Sequence, residues 1–506
     1  MVLKIRAYSE VFQRVTAASH AQTTVCTTKM VVLRSRGSGA SSCCCFRQGL
    51  VVTFVLFGGL LLVAYQLAWV YWLPGILVED HFQTADGRLV KRRDPNKMVK
   101  RHQDKTIPVT PFDGVLEGHL TLVGIDIPQE TGLVRGSGLG YAGVQAKFCH
   151  ISWNKQENKP WEVPLFKDLV QDSFLCRGTE HTVDLWETAR AAEQFDIRNH
   201  TFAATSPLHS QGSADPRLVV FHQSKCGSTL VANTLAALGR VYSEPPALIA
   251  ALLACEQHAV CDSEVQMQLV QDVFMLMGRT AKPINMFYKI QSVGVRAIEV
   301  LRKAMPTTPW MFLYRDGVEI LMSQFHPYQR RENIGPDFIP PCLRGRSKAT
   351  QHPLLLDVLA ARNRTLDTIT REDYCAAHVA SLAQAALHHG ESLRNQSSTM
   401  HGVIHPSDEP TNNHYAVAKH WFVNYNQLPH ILWERIVSEL LVGGVTAQQR
   451  EKMHRISKVY SKSKDDESHW KEDSTLKSGL APPTVKSAAE VFLDPLYEQM
   501  EVLRVK

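Results

Sequence analysis

The stretch that most constrains this chain is Arg217–Gly239, RLVVFHQSKCGSTLVANTLAALG. An apolar run, Leu218–Phe221, meets a short polar loop, Ser224-Lys225-Cys226-Gly227-Ser228-Thr229. A helical pattern follows, with Leu230, Leu235 and Leu238 on or near one face and Gly239 read as its C-terminal cap. Strand, tight loop and helix in that order aim backbone N–H groups and the positive end of a helix at one spot, the geometry that holds a phosphate. Lys225 adds a point charge there, and Ser228 and Thr229 add hydroxyl donors.

From residue 217 onward the strand–helix pattern repeats, which predicts an α/β domain with a parallel sheet covered by helices on both sides. Further strands are expected at Val241-Tyr242, Ile284–Ile290, Trp310–Tyr314 and Trp421–Tyr425. Helices are expected over 247–256, 263–277, 295–304, 317–325, 371–390, 428–441 and 488–502. Residues 326–352 and 462–477 read as polar loops. Residues 117–205 read as an irregular accessory region of strands and loops, with a helix over Val183–Phe195.

The N-terminal part has a different character. Residues 1–48 carry seven Lys or Arg against a single acid, Glu10. The following segment, Leu50–Leu73, has no charge and is long enough to cross a bilayer as a helix. Tyr65, Trp69, Tyr71 and Trp72 form an aromatic belt near its end, and Glu79 and Asp80 follow. The positive-inside rule then predicts a cytoplasmic tail (1–48), a signal-anchor helix (49–74), a polar stem (75–116) and everything beyond on the far side of the membrane. Three N-x-[ST] triplets, at Asn199, Asn363 and Asn395, fit a glycoprotein in the secretory pathway. The net charge of +6 is concentrated in the tail and the stem, and no nucleic-acid partner is expected.

Of eleven cysteines, seven follow the apolar segment. In an oxidising compartment, pairs such as Cys149–Cys176, Cys255–Cys261 and Cys342–Cys375 are open to them, with Cys226 left over, although spacing does not fix connectivity. No CxxC or HExxH pattern occurs, and no metal is expected.

The loop at 224–229 departs from the Walker A pattern, because its lysine precedes the glycine and the first glycine is missing. A second feature narrows its meaning. In Trp310–Ser323 an arginine, Arg315, ends a strand, and Ser323 lies eight residues on, about two helical turns. Arginine grips phosphate bidentately and serine adds a hydroxyl. One loop for one phosphate and an Arg/Ser pair for another suit a nucleotide with phosphates at both ends of its ribose.

The combination resembles the sulfotransferases that use 3′-phosphoadenosine 5′-phosphosulfate (PAPS). SKCGST at 224–229 is similar to the family's 5′-phosphosulfate loop, and Arg315 with Ser323 to its 3′-phosphate motif. The stretches FHQSKCGSTL, SEPP, PWMFLYRDGVEILMSQ and VNYNQLP extend the likeness from about Arg217 to the C-terminus, within an expected domain of residues 206–506. The resemblance implies a three-layer, P-loop-type sheet and PAPS as co-substrate. It implies a donor site of Lys225, Cys226, Gly227, Ser228, Thr229, Arg315, Ser323 and a late basic residue, Lys477. It also implies sulfonyl transfer to an acceptor hydroxyl, on a carbohydrate if the compartment is the Golgi lumen. Where cytosolic members carry a histidine base, this chain has Gln291 after Lys289. Glu244, after the second strand, is therefore the expected general base, with Lys225 and Lys289 neutralising developing charge. The alternatives are a P-loop kinase or NTPase, and a non-catalytic glycan-binding protein on the same scaffold.

Overall fold

The computed structural model describes residues 81–83, 89–91, 111–136, 140–200, 214–282, 284–325, 339–347, 351–400, 418–441, 443–459, 461 and 473–506. The chain divides into two compact units, Met1–Gln103 and Asp104–Lys506. In the first, the described residues form one antiparallel pair, β1 (His81–Gln83) with β2 (Leu89–Lys91). The predicted tail and signal anchor lie outside the described residues. Among the described residues no helix is long and apolar enough to cross a membrane.

The second unit begins with a three-stranded antiparallel sheet, β3 (Thr121–Asp126), β4 (Gln145–Cys149) and β5 (His181–Asp184), in that order. The helix expected from Val183 starts two residues later, as α1 (Leu185–His200), because Val183 and Asp184 pair with Ala146 and Gln145 in the sheet. This region shares a hydrophobic core with the C-terminal α/β part of the unit. Trp153 and Phe166 pack on Tyr242, with ring centroids 5.2 and 5.0 Å away, and Tyr242 in turn stacks on Tyr288 at 5.2 Å.

The main sheet is wholly parallel and has five strands: β6 (Pro216–His222), β7 (Gly239–Ser243), β8 (Asn285–Lys289), β9 (Trp310–Tyr314) and β10 (His420–Asn424). Their spatial order is β10-β9-β6-β8-β7. After β6 the chain builds one side of the sheet, then returns to build the other. The order therefore reverses at β6, and a crevice opens beyond the carboxyl ends of the strands at such a switch point.

Side-chain parity assigns the two faces. Val219, Phe221, Tyr242, Tyr288, Phe312 and Phe422 join one core. Leu218, Val220, Val241, Phe287, Leu313 and Val423 join the other. Both faces are buried, as near-continuous apolar strands require. The second face is covered by α2 (Ser228–Leu235), α4 (Gly317–Phe325) and part of α5 (Arg371–Met400); α3 (Ser263–Met277) packs on the first. Both sheet edges are covered, which blunts unwanted pairing. At β7 the Gln156 amide donates to the Val241 carbonyl (2.7 Å) and accepts its N–H (3.0 Å). At β10 Val505, next to the chain end, donates its N–H to the Phe422 carbonyl at 2.9 Å.

Some expected boundaries move. Gly239 is not a helix cap. The α2 helix ends at Leu235, and Gly239 opens β7, where a Cβ would stand 2.2 Å from the Asn285 carbonyl oxygen. The end of the polar loop 462–477 is helical, α6 (Ser474–Leu480). The single final helix is two, α7 (Pro483–Phe492) and α8 (Asp494–Leu503), since Pro495 interrupts the backbone ladder. Helices also lie where the sequence pattern predicts none, among them Pro111–Leu116 at the end of the expected stem, Phe166–Asp172, Pro353–Ala360 and Ala447–Ser457.

The three cysteine pairs left open by the sequence are formed: Cys149–Cys176, Cys255–Cys261 and Cys342–Cys375. Closing loops with separations of 27 and 33 residues constrains the unfolded chain by about 3–4 kcal/mol each. Cys226 remains a buried thiol.

Candidate functional site

Parity also decides where the chemistry gathers. His222, Ser243, Lys289, Arg315 and Tyr425 each end or just follow a strand of the main sheet, in phase with the residues of the α2-covered face. They therefore converge at the carboxyl edge of the sheet, at the switch point. Glu244 is out of phase, but its φ of +59° takes it out of the extended strand conformation. Its N–H donates to the Lys289 carbonyl at 2.7 Å, and its carboxylate pairs with the Lys289 ammonium.

The loop is wound tightly. Ser224, Lys225 and Gly227 all have left-handed backbones, with φ of +70°, +55° and +90°. With Glu244, that places three of the four positive-φ non-glycine residues of the described chain in this one site. Each such residue costs about 1–2 kcal/mol, a strain that surrounding structure must hold in place and that clusters at functional sites. A turn of this kind gathers backbone N–H groups around an anion. Gly227 then caps α2 with no side-chain bond to the first turn, which leaves the helix end to act on a ligand.

Several contacts tie this loop to the β9–α4 segment. The Ser224 N–H donates to His222 Nδ1 at 3.1 Å, and Gln324 Nε2 donates to Ser224 Oγ at 3.1 Å. Gln223 bridges the strands: its N–H donates to the Leu313 carbonyl (3.1 Å), and its Oε1 accepts the Arg315 N–H (3.3 Å). Cys226 Sγ donates to the Leu313 carbonyl at 3.3 Å. Burial pushes that thiol up to about 12, so it is no thiolate nucleophile at neutral pH. Ser228 and Thr229 are buried in the first turn of α2, and Lys225 is exposed at the loop tip.

Arg315 is buried and lies in a ring of partners. Its Nε pairs with Glu319, and its Nη2 meets Asp473 Oδ1 at 2.9 Å and Ser474 Oγ at 3.3 Å. Its guanidinium lies 3.9 Å from the Tyr425 ring centroid. Lys477 joins this ring, its Nζ 2.6 Å from Asp473 Oδ2. Ser474 Oγ donates to Glu319 at 2.9 Å. Burial raises the Asp473 carboxyl, but its bonds to Lys477 and Arg315 outweigh that and hold it below the usual carboxylate range. Lys477 is lowered as well, since burial and the Arg315 charge outweigh the attraction of Asp473. Two cations thus share one bridging carboxylate.

Of the residues expected from the sequence, the fold brings Lys225–Thr229, Lys289, Glu244, Arg315 and Lys477 to the same edge of the sheet. Ser323 is on α4 as expected, but its hydroxyl donates to the Glu319 carbonyl at 2.7 Å within its own helix. The sequence pattern does not single out Glu319, Asp473, Tyr425, Gln223 or Gln324 as partners. Glu319 four residues after Arg315, and Asp473 four before Lys477, do carry a readable helical ion-pair spacing. The other three lie in stretches that resemble the family, but no spacing there indicates their contacts. Of the four arginines in the expected loop 326–352, which would either line an acceptor cleft or be solvated, Arg330 and Arg331 lie outside the described residues. Arg346 anchors its own segment, donating to the Ile369 carbonyl at 2.9 Å, while Arg344 is exposed. Among the described residues no group of three or more His, Cys, Asp or Glu could hold a metal ion.

No protein-family model matches the chain, and no curated protein matches it.

Proposed function

We propose that the chain is a PAPS-dependent sulfotransferase of P-loop type, acting as a type II Golgi membrane protein on a hydroxyl acceptor, with carbohydrate the favoured class. One observation carries this reading: the 224–229 loop and Arg315 lie at the same carboxyl edge of the sheet, where Gln223 bonds the Arg315 N–H and Gln324 ties Ser224 to the helix that follows Arg315. A strained loop capping a helix suits the 5′-phosphosulfate, and a buried arginine with Lys477 beside it suits the 3′-phosphate. The acceptor oxygen attacks sulfur, the bond from sulfur to the 5′-phosphate oxygen breaks, and adenosine 3′,5′-bisphosphate leaves. Glu244 takes the acceptor proton, while Lys225 and Lys289 balance the charge on the departing phosphate. Three disulfides support an oxidising compartment, and carbohydrate is favoured because glycans are assembled there.

The Glu244–Lys289 ion pair favours one second reading, a glycan-binding protein without turnover, since the proposed base is engaged. Calorimetry of the detergent-solubilised full chain with adenosine 3′,5′-bisphosphate tests the donor assignment, with Arg315→Lys as control and melting followed in parallel. Absence of binding by the wild type would sink it. Transfer of labelled sulfate from PAPS to a panel of glycans then separates enzyme from binder. Undiminished transfer by Glu244→Gln would exclude Glu244 as base.

A further inference from the structure

Asp473 stands in the proposed 3′-phosphate corner as an anion does. Its two oxygens reach different cations, Oδ1 to Arg315 at 2.9 Å and Oδ2 to Lys477 at 2.6 Å. Two well-separated oxygens, each on a charged donor, are how a phosphate engages an arginine–lysine pair. The corner is also electrically balanced: Arg315 and Lys477 are offset by Asp473 and Glu319. A phosphate entering beside Asp473 would put additional negative charge next to two carboxylates in a half-buried site, where like charges repel strongly.

The two carboxylates do not have equal standing. Glu319 is on α4, four residues from Arg315, and also accepts from Ser474. It is built into the helix that carries the arginine. Asp473 immediately precedes α6, comes from 158 residues away, and makes no side-chain cap for that helix. Glu319 therefore orients the guanidinium, and Asp473 is the exchangeable partner.

We propose that Asp473 is an internal competitor for the 3′-phosphate: the donor must displace its carboxylate from Arg315 and Lys477, so Asp473 sets the threshold for binding nucleotides that carry a 3′-phosphate. The inference rests on the donor reading above. It makes Asp473 a specificity-determining residue, because a nucleotide with only a 5′-phosphate leaves the Asp473 contacts in place.

The experiment compares wild type and Asp473→Asn, as detergent-solubilised full chains, for binding of adenosine 3′,5′-bisphosphate and adenosine 5′-phosphate. The amide keeps the shape of Asp473 and removes its charge. The bisphosphate is expected to bind the variant about tenfold or more tightly, the scale of one charge-assisted contact, with 5′-phosphate binding unchanged. Equal or weaker binding of the bisphosphate by the variant would overturn the proposal and make Asp473 a positioning residue. An equal gain for both nucleotides would overturn it too, because the effect would not belong to the 3′ corner. If neither protein binds the bisphosphate, the donor reading fails and this inference fails with it. A melting curve without ligand guards against misfolding, and Asp473→Ser serves as a second, smaller neutral replacement expected to shift binding in the same direction.

Discussion

The guanidinium of Arg315 lies 3.9 Å from the centroid of the Tyr425 ring, so a strand-end arginine of β9 rests on an aromatic that follows β10. The same ring closes against the 224–229 loop: a Cβ at Gly227 would stand 2.5 Å from Tyr425 Cδ2. One side chain therefore spaces the two halves of the candidate site.

That contact makes Gly227 the least replaceable residue of the loop. Gly227→Ala combines a left-handed backbone, worth about 1–2 kcal/mol, with a collision against Tyr425. We expect a lower melting temperature and loss of bisphosphate binding. Ser224→Gly, at a position with the same backbone hand, relieves strain without touching the ring but removes the Oγ that accepts from Gln324, so it is expected to change stability far less than Gly227→Ala. Thermal melting and calorimetry of both variants check this.

Cys226 is expected to be chemically silent in the folded protein. With its thiol pushed up to about 12 by burial, roughly one molecule in ten thousand is thiolate at pH 8. Alkylation by iodoacetamide at that pH should require unfolding. Cys226→Ala should keep sulfonyl transfer; loss of transfer with intact bisphosphate binding would instead make the thiol a participant.

Lys289 and Glu244 test whether the site's charges are structural or functional. The lysine side chain is 2% exposed and its partner 25%. Removing only Glu244 leaves a buried ammonium without its carboxylate, and Glu244→Ala should cost somewhat less than the roughly 3–5 kcal/mol of a fully buried pair, because solvent reaches the carboxylate. The double variant Glu244→Gln/Lys289→Met should recover much of that stability yet show no transfer. Denaturant melts and a transfer assay separate the two effects.

The Asp473 bridge predicts a pH response. Its carboxyl is held below the usual range, so the folded value is depressed relative to the unfolded one. Its contribution to stability is present above the unfolded value, about 4, and is lost as pH falls through the folded value. Wild type and Asp473→Asn should therefore differ in melting temperature at pH 6–7 and converge in strong acid. A constant gap across that range would show that the bridge is not the source of the difference.

Much of the site's local character is legible in the chain. Leu218–Phe221, the loop at 224–229 and the start of α2 form one continuous segment, and periodicity with turn chemistry suffices to read it. Arg315 is equally readable, since Trp310–Tyr314 is an unbroken apolar run that ends in a charge. Helix Ser263–Met277 matches its expected span because Asp262 caps it, accepting from the N–H groups of Glu264 and Val265. Gly239 defeats the cap reading for a reason that no local pattern contains: the glycine answers to Asn285, on a neighbouring strand.

By itself, then, the sequence determined the α/β class, the strand–loop–helix at 217–235, the strand-end arginine and a set of cysteines able to pair. The loop and the arginine depend on residues within a turn or two of one another, where backbone preference and side-chain period act directly; the class follows from the same local signals repeated along the chain, and the cysteines from composition. Only the tertiary structure decided the strand order β10-β9-β6-β8-β7, the three disulfide pairs, the placing of Tyr425 between Gly227 and Arg315, and the capture of Arg315 by Asp473. Most of these join residues tens to hundreds of positions apart. Such contacts form only once the whole sheet has brought its carboxyl ends to one edge, so no short stretch of the chain can encode them.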